Sequence, residues 1–219
     1  MVLDWHYFDF LYKTFIALFV VIDPFAIIPV FIGYTLNDSK MARHKTALKA
    51  TLIASIVLLI FALTGESFLE FLGISHGSFR IAGGILLFFT GLDMVIAKNS
   101  GIRSTTEQEH KEAVAKSDIS VFPLAIPLIA GPGALTTLVI SMGEVEGMLF
   151  YEVSIVMTLL ITLFLTYLCL ISSTLIFKVL GVTGTNVLTR IFGIIIAALA
   201  IEYIVKGLRD SFPALGGCV

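Results

Sequence analysis

The sequence predicts an all-α membrane protein of six transmembrane helices. They form two inverted-topology three-helix repeats, with helices one and four discontinuous. Three observations predict it. First, the 219-residue chain is 58% hydrophobic and only 14% charged, with a mean hydropathy of +1.01, far from the soluble average. Its apolar residues run in continuous blocks of about twenty, the length of a membrane helix. A barrel would instead alternate apolar and polar residues over about ten positions. Second, proline breaks two of these blocks, at Asp23-Pro24 and at Gly131-Pro132-Gly133. Third, the chain repeats itself. Arg80-Ile81-Ala82-Gly83-Gly84-Ile85 recurs as Arg190-Ile191-Phe192-Gly193-Ile194-Ile195, 110 positions on, and the two breaks lie 108 positions apart.

The six spans are expected at residues 10–34, 47–63, 79–97, 119–141, 151–177 and 187–208. The first repeat is 1–97, the polar stretch 98–118 connects, and 119–219 is the second repeat. Three spans is an odd number, so the second copy enters the membrane from the opposite side. The first block is too long and too charged at Asp23 to be a cleaved signal, and is read as a retained span.

Charges sort by side. Lys40, Arg43 and Lys45 follow span one; Lys98, Arg103, Lys111 and Lys116 lie in the central stretch; Lys178 and Arg190 lie between spans five and six. Glu66, Glu70, Glu144, Glu146 and Glu152 lie in the other connections. The positive-inside rule makes the basic loops cytoplasmic, with both termini outside a cytoplasmic (inner) membrane. A net charge of −2 argues against a nucleic-acid partner; the lipid bilayer is the expected surroundings. Cys169 and Cys218 give no disulfide framework and have no His or Cys neighbours at metal spacing, so no metal or cofactor is expected. His6, His44, His76 and His110 fall in predicted tails or loops, which leaves no intramembrane histidine relay. No G-x-S-x-G or H-E-x-x-H occurs, so an enzyme is not expected.

Each break has its own chemistry. Pro24 suits the first position of a half-helix, and Asp23 suits the cap before it. A carboxylate at mid-membrane costs roughly 2.5–3.5 kcal/mol on insertion scales. Asp23 is either a cap alone or a cap that also binds a proton, a cation or a substrate ammonium, since a capping carboxylate keeps lone pairs. Pro132 starts the second half-helix, but its cap, Gly131, has no side chain. The N–H groups there, with the positive end of the helix dipole, suit a carboxylate. Gly133 allows close approach, and Thr136 and Thr137 add hydroxyls one turn on. If the inverted repeat brings the breaks together, ammonium at Asp23 and carboxylate at Gly131 to Gly133 make a site for a zwitterion. Small apolar neighbours (Ala26, Ala130, Ala134) fit a small neutral amino acid. Asp93 and Glu202 lie late in spans three and six, one position apart under the repeat. They are interfacial acids or proton-coupling residues.

At these residues the chain resembles the MarC family of bacterial and archaeal membrane proteins, which includes SnatA-type small neutral amino acid transporters. The resemblance rests on the Asp-Pro region (19–29), the Pro-Leu-Ala-Ile-Pro-Leu-Ile-Ala-Gly-Pro-Gly-Ala stretch (123–134) and Arg-Ile-Ala-Gly-Gly (80–84), and covers essentially the whole chain. It implies a secondary transporter of glycine, alanine and related amino acids driven by an ion gradient, with H⁺ favoured over Na⁺. Carried over, it implies Asp23, Pro24, Gly131, Pro132 and Gly133 as site residues. Two other classes stay open: an ion channel lined by the broken helices, and a non-transporting membrane component.

Overall fold

A computed structural model describes residues 2–96 and 119–212. The described residues form helices and turns, without strands. The helices are α1 (Val2–Ile22), α2 (Pro24–Tyr34), α3 (Lys40–Phe71), α4 (His76–Ile96), α5 (Ser120–Ile129), α6 (Pro132–Gly143), α7 (Leu149–Ile171) and α8 (Ser173–Ser211). Five apolar stretches are long enough to cross a membrane, one of them Tyr7–Tyr34; α5 and α6 taken together would make a sixth. The connecting stretch 98–118 lies outside the described residues.

Local chemistry sets the ends. Ser39 caps α3 through its hydroxyl, which accepts from the Ala42 N–H at 3.2 Å. Gly73 (φ 69°) makes the turn into α4, where Ser75 accepts from the Ser78 N–H at 3.2 Å. α5 carries Pro123 and Pro127 after cis peptide bonds and is not a regular helix: Phe122 and Ile126 are extended (φ −133° and −128°, ψ 125°), and the Ala130 N–H donates to Ala125 O at 2.8 Å.

The short helices α2 and α6 turn much of their surface to the interior. α6 is buried on nearly every side, from Gly133 and Ala134 through Thr136 to Met142, as expected of a helix apolar all round. It packs on α3, α4 and α1, whereas α2 packs on α8, α7 and α5. The longer helices turn apolar side chains outward; on α3, Leu52, Ile56, Ile60 and Leu63 are each at least half exposed. That stripe suits lipid, not water.

The most extensive contact joins α4 and α8, which run antiparallel. A Cβ at Gly91 would lie 2.7 Å from the Gly193 carbonyl oxygen, one at Gly84 would lie 2.8 Å from that of Ala200, and one at Gly207 would lie 2.6 Å from that of Gly77. The glycine repeats thus form a backbone-to-backbone seam of the small-residue kind seen between membrane helices.

Two expectations need correction. The span expected at 151–177 ends at Ile171, and α8 starts at Ser173 and runs on through 178–186, expected as a connection, with a kink at the non-helical Gly181 (φ 64°), whose carbonyl accepts from the Thr185 hydroxyl at 2.8 Å. Glycine takes that backbone angle without a Cβ clash, so a new helical stretch begins there without a loop. His44 lies within α3 and not in a loop, 2.6 Å from the Tyr167 hydroxyl, because α3 starts seven residues before the apolar block. His76 opens α4, while the His6 side chain and His110 lie outside the described residues.

Candidate functional site

Asp23 is the single residue between α1 and α2, and it is fully buried. Its backbone is left-handed (φ 47°, ψ 72°). That conformation costs an L-residue of order 1–3 kcal/mol, with Asp and Asn among the most tolerant. Local bonds hold it. The Asp23 N–H donates to Phe19 O at 3.0 Å, and Asp23 Oδ1 accepts from the Ala26 N–H at 3.2 Å. Pro24 is the first residue of α2. The chain therefore passes through this break with its cap in place and its carboxylate enclosed.

The second break is built differently. α5 and α6 meet at 53°. Gly131 stands at the cap position with extended backbone (φ −80°, ψ 168°), and no side chain caps the helix. A Cβ at Gly131 would lie 2.5 Å from the Pro127 carbonyl oxygen, so the bend needs glycine for space alone. Pro132 has no N–H to satisfy. The start of α6 thus offers N–H groups and a positive dipole end without a side-chain acceptor.

The two breaks are neighbours. A Cβ at Gly133 would fall 3.0 Å from Val21 Cγ1 and 3.1 Å from Leu87 Cδ2, and Val21 is two residues from Asp23. A small cleft there is lined by Val21, Thr90, Leu128 and Gly131 to Ala134. Its volume, about 10 Å³, has room for about one water. An amino acid would enter only if the surrounding helices moved apart.

The remaining expected residues divide. Thr136 is buried with its methyl group against Gly83, at 2.0 Å from where a Cβ of Gly83 would stand. Thr137 is buried and its hydroxyl has no hydrogen-bond partner among the described residues. Asp93 is half-buried and Glu202 exposed, and neither lines the cleft. Sequence reasoning missed Thr90, whose hydroxyl donates to Leu86 O at 2.9 Å while the residue lines the cleft. Its only sequence signal is a polar residue inside an apolar span.

A second polar cluster gathers at one end of the bundle. Arg80 lies 3.5 Å from Glu144 and 2.5 Å from Asp210, and Lys206 lies 3.2 Å from Glu144. Beside them, His76 Nδ1 is 2.5 Å from Glu66 Oε1. Glu66, His76 and Glu146 present ligand atoms all within 4.8 Å of one another. No spacing in the sequence signals this, because Glu66 stands in the last turns of α3, His76 opens α4 and Glu146 lies between α6 and α7.

Comparison with known proteins agrees with this architecture. The family model described as MarC family integral membrane protein matches residues 8–212. The chain is 39% identical over 215 residues to the UPF0056 membrane protein YhcE of Escherichia coli, covering 95% of this chain and 97% of that protein. It is 37% identical over 198 residues to the UPF0056 membrane protein MJ1677 of Methanocaldococcus jannaschii, covering 90% and 95%. To the UPF0056 membrane protein YvbG of Bacillus subtilis it is 35% identical over 208 residues, covering 95% and 98%. No solved structure matches it. With apolar helices sufficient for several crossings and a family match over nearly its whole length, the chain is an integral multi-pass membrane protein and belongs to the MarC family.

Proposed function

We propose that this protein is a secondary transporter of small neutral amino acids such as glycine and alanine, coupled to an ion gradient, H⁺ before Na⁺, and working by alternating access. One observation carries the reading: the uncapped start of α6 opens on a cleft lined by Val21, two residues from the buried Asp23. A positive helix end and an acid, placed near each other in an apolar interior, complement a carboxylate and an ammonium. Gly131 to Gly133 receive the carboxylate, and Asp23 takes the ammonium or the coupling proton. Thr136 and Thr137 supply hydroxyls. Asp93 and Glu202 serve proton passage at the membrane faces.

The helix packing supports an inverted repeat of residues 1–97 and 119–219. Exchange of the two halves turns the α2–α8 contact into α6–α4, and the α3–α5 contact into α7–α1; both members of each pair occur. The antiparallel seam also sets Arg80 and Arg190 toward opposite ends, as inversion requires. In this reading both termini face outside the cytoplasmic membrane and the basic connections face the cytoplasm. The one-water cleft corresponds to an occluded state, and substrate binding selects a more open one.

Counterflow of labelled glycine and alanine in proteoliposomes, with and without a pH gradient, tests the proposal. Saturable exchange accelerated by internal unlabelled amino acid is expected. Non-saturating ion conductance without counterflow would favour a channel, and no flux under any gradient would favour a component that does not transport.

A further inference from the structure

The Thr137 hydroxyl departs from a pattern that several buried threonines of this bundle follow. Thr51, Thr90, Thr158, Thr162 and Thr166 each donate to the carbonyl four residues earlier, at 2.8–2.9 Å. That bond is the usual refuge of a threonine hydroxyl in an apolar helix. Thr137 is 1% exposed, yet its hydroxyl makes no such bond to Gly133 and has no other partner among the described residues. A buried hydroxyl in this state is better satisfied when water or a polar ligand can reach it.

The surroundings indicate a direction. Gly133, Thr137, Ser141 and Glu144 recur at spacings that keep them on one face of α6. Tyr203 of α8 is buried beside Ser141 and Thr137, with Glu144 and Arg80 near; its hydroxyl is in reach of Thr137 without closing a hydrogen bond of normal geometry to it. Polar groups therefore continue from the cleft to the charged end of the bundle, about 16 Å along the helix at 1.5 Å per residue. A second small cavity lies at that end, between Glu66, Arg80 and α6. The other short helix differs: the residues it buries, Pro24, Ile27, Ile28 and Phe31, are all apolar.

We propose that the site opens toward the charged end, along a hydroxyl-lined path formed by Thr137, Ser141 and Tyr203, and that water and the amino acid take this path in the open state. The direction of opening deepens the transporter reading and rests on it, but the path is tested by water access, which needs no transport. Cysteines are placed singly at Thr137, Ser141 and Leu138 in a Cys169→Ser, Cys218→Ser background. Leu138 is a fully buried neighbour on the same helix. The proteins are reconstituted and treated from either side with a membrane-impermeant sulfonate-bearing methanethiosulfonate.

With an open state populated at even about 1–10%, Thr137→Cys and Ser141→Cys are expected to react at least about tenfold faster than Leu138→Cys, from one side only. Saturating glycine should slow Thr137→Cys severalfold. Reaction no faster than at Leu138→Cys would overturn the path, even in a protein that shows counterflow. Labelling of the path in a protein without counterflow would keep the path and remove the transporter. If Thr137→Cys fails to fold, Ser141→Cys decides alone.

Discussion

The Pro127 carbonyl oxygen lies 2.5 Å from where a Cβ of Gly131 would stand. Both atoms are fixed by backbone, so no side-chain rotation relieves the clash. Gly131→Ala should therefore destabilise the protein by about 1–3 kcal/mol, the usual range for overpacking, and should lower its melting temperature in detergent. Gly33→Ala is the control, since nothing lies within 4 Å of a Cβ there. Equal melting temperatures for the two variants would show that the α5–α6 bend relaxes freely.

Asp23 has two separable duties, a cap and a charge. Asn keeps the cap and also tolerates the left-handed backbone. Asp23→Asn should melt close to the parent, retain some glycine exchange and lose acceleration by a pH gradient. Asp23→Ala loses the cap, at a cost of about 1 kcal/mol, and adds strain at φ 47°. It should melt below Asp23→Asn. Uptake by Asp23→Asn that still follows the pH gradient would remove the coupling role from this residue.

Both breaks were readable because proline and its cap are local chemistry. Asp23-Pro24 and Gly131-Pro132 each stand at the helix start expected of them. The extended residues inside α5, Phe122 and Ile126, are not readable in detail, since Pro123 and Pro127 announce irregularity without its form. The sequence reading makes helices too short where polar residues continue them beyond the apolar core: α3 begins at Lys40, and α8 runs through 178–186. Thr90, and the meeting of Glu66, His76 and Glu146, depend on how distant segments pack. No local pattern encodes that.

The Gly91–Gly193 crossing predicts a particular failure of additivity. A Cβ at Gly91 would sit 2.7 Å from Gly193 O, and one at Gly193 would sit 2.8 Å from Gly91 O. Either Gly→Ala change must push α4 and α8 apart over the same gap. Each single variant should lose stability by about 1–3 kcal/mol. The double variant should lose less than the sum, because the first separation accommodates the second methyl; couplings between contacting residues run about 0.5–3 kcal/mol. Melting of the four proteins in one detergent measures this, and strict additivity would mean that the two glycines act through separate contacts.

Arg80 ties the ends of three segments together, through Glu144 after α6 and Asp210 of α8, with its own side chain only 15% exposed. Its partners are more exposed, at 30% and 42%, which weakens the attraction through solvent screening. Removing Arg80 leaves Glu144 with Lys206 at 3.2 Å, whereas no other pairing is seen for Asp210 among the described residues. Arg80→Ala should then cost about 1 kcal/mol or somewhat more, above the usual surface pair because the guanidinium is mostly enclosed. Asp210→Asn should cost less in the Arg80→Ala background than in the parent, and the difference should shrink at high salt. A cost for Asp210→Asn that is independent of Arg80 would show that Asp210 acts through its helix end and not through this pair.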